Sequence, residues 1–175
     1  MDEIIAPWAE FASLPMYQDE EITWWSRNKS SFLEKTIIQL EIDTGINFER
    51  VSKKKKAEIR HKTVKKFDDP FQTGNAYWHP NNPVWLLKTK KGKKHRSTQI
   101  HELGHALGLQ HPDNHNANTD TVMSYARDRK KKEFFERDIK AIKRIFTDSS
   151  LEFADTEIGP VEVDELTGLL FTEYI

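Results

Sequence analysis

The chain has 175 residues, enough for one domain with a real hydrophobic core and short for two. Charged residues make up 31% and hydrophobic ones 37%, with a net charge of -1 and no apolar run of membrane-span length, so a soluble globular protein without a membrane role is expected. It has no cysteine, which excludes disulfides, thiolate zinc sites and cysteine nucleophiles together and leaves histidine and carboxylate to build any transition-metal site.

The near-neutral total hides a block pattern. Residues 50–100 hold 15 basic and 3 acidic groups, whereas residues 147–175 hold eight acids and no base. The opening stretch MDEIIAPWAEFASLP has acids where a secretory signal needs basic residues, and Pro7, Glu10 and Pro15 break its apolar positions. No export signal is expected in the chain as written, and the compartment stays open. Residues 1–18 show no sustained period and read as an extended arm.

Ile22-Thr23-Trp24-Trp25 is rich in β-branched and aromatic residues and predicts a first strand. Ser31 followed by Glu34 fits a capping box, Leu33, Ile37, Ile38 and Leu40 follow at helical spacing, and Gly45 offers a stop. Two strands with a charged connection are expected over Ile46–Val51 and Ala57–Arg60, then two more over Asn75–Trp78 and Val84–Leu87, bounded by Pro80 and Pro83. Residues 97–109 read as a helix, and Phe134 to Phe146 as a closing amphipathic helix with Phe135, Ile139, Ile142 and Ile145 or Phe146 inward. Val161–Val163 and Leu169–Tyr174 cluster like two strands around Asp164–Gly168, which suggests an acidic hairpin.

The informative stretch is His101-Glu102-Leu103-Gly104-His105-Ala106-Leu107-Gly108-Leu109-Gln110-His111. On a helix, residues four apart share a face, so His101 and His105 can present nitrogens to one ion. Gly108 permits a sharp turn that brings His111 back as a third ligand. The adjacent Glu102 can then take a proton from water at the open fourth position. Three ligands and an open position make a catalytic rather than a structural zinc site.

HELGHALGLQH resembles the elongated zinc-binding motif of the metzincin peptidases, and Thr121-Val122-Met123-Ser124-Tyr125 looks like that family's Met-turn. Among metzincins the motifs are most similar to those of serralysin- and matrixin-like peptidases, the Met-Ser-Tyr form is similar to serralysins and astacins, and Asp138-Ile139-Lys140-Ala141-Ile142 resembles the start of the closing helix in matrixins and serralysins. The resemblance implies an α+β fold, a twisted five-stranded mixed sheet with a zinc helix, a Met-turn and a closing helix, over residues 19–146. It assigns Met123 as a hydrophobic floor beneath the metal, Tyr125 as a stabiliser of the oxyanion, one catalytic Zn2+, and a peptide or protein substrate lying along the edge strand near Asn75–Trp78. A monomer is expected. In metzincins the segment after the Met-turn walls the pocket for the residue following the scissile bond. Here it reads Ala126-Arg127-Asp128-Arg129-Lys130-Lys131-Lys132, whose cations would favour acidic side chains.

Departures are visible as well. Phe67–Gly74 stands where matrixins carry a glycine-rich loop with structural zinc and calcium, a cysteine latch is impossible, and no serralysin-type calcium repeat follows. His61 and His79, 18 residues apart, read as ordinary packed or surface histidines rather than as a second metal site. A nucleic-acid module is a rival for the lysine runs at 53–56 and 88–96, but such runs are usually solvated loops and no recognition fold accompanies them. A catalytically silent scaffold is the other rival, and the intact Glu102 argues against it.

Overall fold

The computed structural model describes residue 4 and residues 21–27, 31–79, 82–112, 116–147, 163–164 and 169–170. The N-terminal arm expected over 1–18 lies outside these apart from Ile4. Strand β1 (Glu21–Ser26) leads to helix α1 (Ser31–Thr44), strand β2 (Asn47–Arg50) and strand β3 (Ile59–Val64). Strands β4 (Gly74–His79) and β5 (Asn82–Lys90) follow, then helix α2 (Arg96–Ala106) and helix α3 (Glu136–Thr147). The sheet runs in the order β2-β1-β3-β5-β4, parallel throughout except for β4, which pairs antiparallel with β5 at the edge. This is the mixed five-stranded α+β architecture expected from the resemblance.

Strand and helix identities follow from their side chains. Ile22, Trp24 and Ser26 alternate inward along β1, and Ile59 and His61 do so along β3. Helix α1 buries Leu33, Ile37 and Leu40 on one stripe, and Gly45 ends it at φ 79, where a side chain would be strained. Glu34 is drawn into an ion pair with Arg50 (2.9 Å), whose guanidinium also covers the Trp24 ring at 5.2 Å. Along α3, Ala141, Ile142 and Ile145 are buried, while Ile139 and Phe146, with Phe135 just before the helix, pack against the core from its margin. Val163–Asp164 (β6) and Leu169–Leu170 (β7) pair antiparallel, and β7 lies against β4. No helix among the described residues is long and apolar enough to cross a membrane.

A polar line crosses the buried face of the sheet. His61 is 1% exposed, with Nδ1 3.1 Å from Ser26 Oγ and Nε2 3.0 Å from Thr89 Oγ1, so three neighbouring strands are joined by one imidazole. Both ring nitrogens are occupied by hydroxyls, which makes His61 a structural residue and not a metal ligand. Burial pushes its imidazole down from 6.5 to about 4.

Because the folded pKa lies below the unfolded one, the unfolded chain takes up the proton first. The stabilisation is therefore complete above about pH 6.5 and is lost as pH falls toward 4. The full loss is about 3 kcal/mol at about 1.4 kcal/mol per unit. In urea unfolding across this window, His61→Gln should lose about that much of the pH dependence shown by the parent protein.

Candidate metal centre

Nine of the eleven residues of α2 are buried, including the polar Ser97, Thr98, Gln99, His101 and Glu102. A helix buried on all sides must satisfy its polar groups internally, and its C-terminus shows how. Gly108 stands at φ 93, Gly108 N–H donates to His105 O (3.1 Å), and Leu109 N–H donates to Gly104 O (3.0 Å). This is a Schellman motif with Gly108 in the left-handed position. The helix therefore ends at Ala106, three residues before the expected limit of 109, because the reversal consumes Leu107 to Leu109.

The same reversal orients the histidines. Leu109 O accepts a hydrogen bond from His105 Nδ1 (2.9 Å), and Val122 O accepts one from His101 Nδ1 (2.8 Å). With Nδ1 carrying the proton, Nε2 of each neutral ring keeps its lone pair free for a cation. His111 comes back over the helix end, its Nε2 3.1 Å from His101 Nε2. Its approach is held by the N-terminal segment, where Ile4, fully buried, accepts Gln110 N–H on its carbonyl at 2.8 Å.

One ligand atom from each of His101, His105 and His111 lies within 4.8 Å of the others. Nitrogens about 2.0–2.1 Å from a tetrahedral zinc stand roughly 3.3 Å apart, so the His101–His111 approach is compatible with two ligands of one ion. Among the described residues this is the group of histidines and acids that could hold a metal. The donor set, three imidazoles with two Nδ1–H groups tied to carbonyls, fits zinc. Burial pushes the pKa of His101 and His105 down, that of His105 to about 3, with the neighbouring imidazoles adding to the effect.

Glu102 is 5% exposed, and burial pushes its carboxyl up to about 8 against the pull of Arg127. Its surroundings come from β4: a Cβ added at Gly74 would overlap Glu102 Oε1 and Thr98 Cγ2, so only glycine lets the edge strand descend onto the carboxylate. The turn holding Met123 passes on the other side. Met123 is fully buried, and a Cβ on Gly104 would stand 2.7 Å from its Sδ, so the helix and turn pack at the limit of contact. Tyr125 is 48% exposed, with its ring centroid 4.9 Å from that of His111 and 6.3 Å from that of His101.

The turn is fastened by Asp138 of α3, a residue whose role sequence reasoning missed. Its carboxylate accepts from Thr121 Oγ1, from Val122 N–H (3.0 Å) and from Phe135 N–H (2.8 Å). Since Val122 O holds His101, Asp138 reaches the metal centre through one residue. The cations after the turn do not form one open wall: Lys131 lies 3.8 Å over the Phe135 ring, and Arg127 is only 7% exposed. Lys65, Lys66, Lys90, Lys91 and Lys94 line a separate concavity at the far end of the parallel strands.

The fold is an α+β domain in which two histidines of a buried helix and a third from the turn beyond it converge beside a carboxylate, an arrangement compatible with a metallopeptidase centre. A model of the matrixin family, of the M10 peptidases, matches residues 17–147, most of the chain, and the chain belongs to that family of zinc metalloendopeptidases. The chain matches no individually curated protein. Likeness to serralysins rests on the Met-Ser-Tyr residues and the start of the closing helix.

The tight packing at Gly104 gives a measurable expectation. Gly104→Ala must displace Met123 or the helix, at a cost of about 1–3 kcal/mol typical of overpacking. Thermal unfolding should report the loss, and zinc affinity should fall with it because His101 and His105 flank the displaced residue.

Proposed function

We propose that this chain is a zinc-dependent endopeptidase in which His101, His105 and His111 hold one zinc ion, Glu102 is the general base and Tyr125 stabilises the developing oxyanion. The observation that carries this reading is the convergence of three imidazoles, two with Nδ1 tied to a carbonyl, beside a buried carboxylate. Family membership supports the same chemistry.

Zinc bound by the three histidines supplies Lewis acidity toward water and a carbonyl oxygen. Glu102, next to His101 in the chain and enclosed by Gly74 and Thr98, is held in one place to accept a proton as water adds to the scissile carbonyl carbon. It then hands that proton to the amine nitrogen as the C–N bond breaks. Tyr125, half exposed beside His111, donates a hydrogen bond to the carbonyl oxygen as negative charge collects there. The edge strand β4 begins at Gly74 directly above Glu102, so an extended peptide added along β4 as a further strand would cross the site. The catalytic unit on this reading is residues 19–146, with 147–175 an acidic extension.

Metal analysis of the purified protein should give about one zinc per chain. Glu102→Ala should retain the zinc and lose roughly 10²–10⁴-fold in kcat/KM on a cleaved peptide, the usual contribution of a general base. Equal cleavage by that variant would sink the reading. Gly74→Ala should also keep its zinc and lower kcat, because its methyl group displaces the Glu102 carboxylate.

A further inference from the structure

Among the described residues, the buried lysine or arginine without an ion pair near the metal centre is Arg127, three residues beyond Ser124 and 7% exposed. Its Nε donates to Ser97 Oγ (3.1 Å), one turn of α2 before His101, and its NH1 donates to Ser124 O (2.6 Å), next to Tyr125. The guanidinium is therefore fixed between the start of the metal helix and the turn that carries Met123 and Tyr125. A guanidinium has five N–H donors in a fork shaped for a carboxylate, and these two bonds leave the rest without an acceptor among the described residues. No carboxylate among the described residues lies within ion-pair distance of it.

Buried cations are usually paired, because an uncompensated charge in a low-dielectric site is costly. Burial and the neighbouring Arg129 disfavour the charge on Arg127, and the acidic groups that favour it, Glu102, Tyr125 and Asp138, act on it without an ion-pair contact. Asp138 acts on it from a distance but is already saturated by Thr121, Val122 and Phe135. Glu102 and Tyr125 are also within its field, so the charge lies beside the two groups given to the reaction.

We infer that Arg127 is a specificity-determining residue that receives a carboxylate of the substrate close to the scissile bond, so that this peptidase selects acidic peptides. The inference rests on the endopeptidase reading above. The carboxylate has two sources, an Asp or Glu side chain flanking the cleaved bond or the terminal carboxylate of a short leaving segment. Selection arises because a neutral amide of the same shape leaves the buried fork unpaired.

The test compares matched peptides that differ by one group: Asp against Asn and Glu against Gln at each residue flanking the cleaved bond, and a free against an amidated C-terminus two residues beyond it. In the zinc-loaded parent, one acid should exceed its amide partner in kcat/KM by about tenfold to a hundredfold, the range for a charge-assisted hydrogen bond. The arm that shows the ratio identifies the source. Arg127→Gln should bring the ratio to about one, and Arg127→Lys, which keeps the charge and loses the fork, should fall between. Anisotropy of the same labelled peptides on the Glu102→Ala protein reads the preference without catalysis. Absence of hydrolysis with an acid preference in binding would overturn the endopeptidase reading and leave this one standing. Hydrolysis with ratios near one in every arm, or a uniform loss in Arg127→Gln at an unchanged ratio, would overturn the role given to Arg127.

Discussion

Everything at the centre depends on a helix that stops in time. His101 and His105 share a face of α2 by helical spacing, but a third nitrogen reaches them only if the chain reverses within a few residues of His105. Gly108 at φ 93 makes that reversal, and the carbonyl that it exposes at Leu109 then holds His105 Nδ1. One backbone conformation thus ends the helix, returns His111 and orients His105. A residue with a side chain at 108 would strain all three at once.

The second requirement is that polar groups buried with the metal centre have partners that do not move. Val122 O fixes His101, and Asp138 fixes Val122 by accepting its N–H, so the closing helix determines the position of a ring on a different helix. Gly74 and Gly104 serve the same end by contact. Each lies where a methyl group would meet Glu102 or Met123, and the edge strand and the turn close on α2 from two sides. His61 performs the corresponding service in the sheet, spanning three strands with two hydroxyl contacts.

Arg127 differs from these groups. Its hydrogen bonds to Ser97 and Ser124 hold the fork in place without neutralising it. The fastening groups of the centre, Asp138 above all, are saturated within the protein. The residual charge of the fork therefore belongs with substrate recognition rather than with cohesion.

Local pattern was enough to place the order of strands and helices over 22–146, because alternation in β1 and β3 and the stripe of α1 are short-range consequences of burying one face. The three histidines were legible for the same reason: helical spacing and a glycine are properties of neighbours in the chain. The sequence did not reveal that α2 ends at Ala106, since the Schellman reversal takes its length from hydrogen bonds that form only once Leu109 is packed. Nor did it show that Asp138 clamps the turn, that Ile4 supports Gln110, or that Gly74 touches Glu102, because each partner lies 16 or more residues away in the chain. The seven residues of the segment 126–132 offered five cations of equal standing by sequence. Tertiary packing buried Arg127 and left its neighbours to solvent or to Phe135, since only folding decides which charge loses its water.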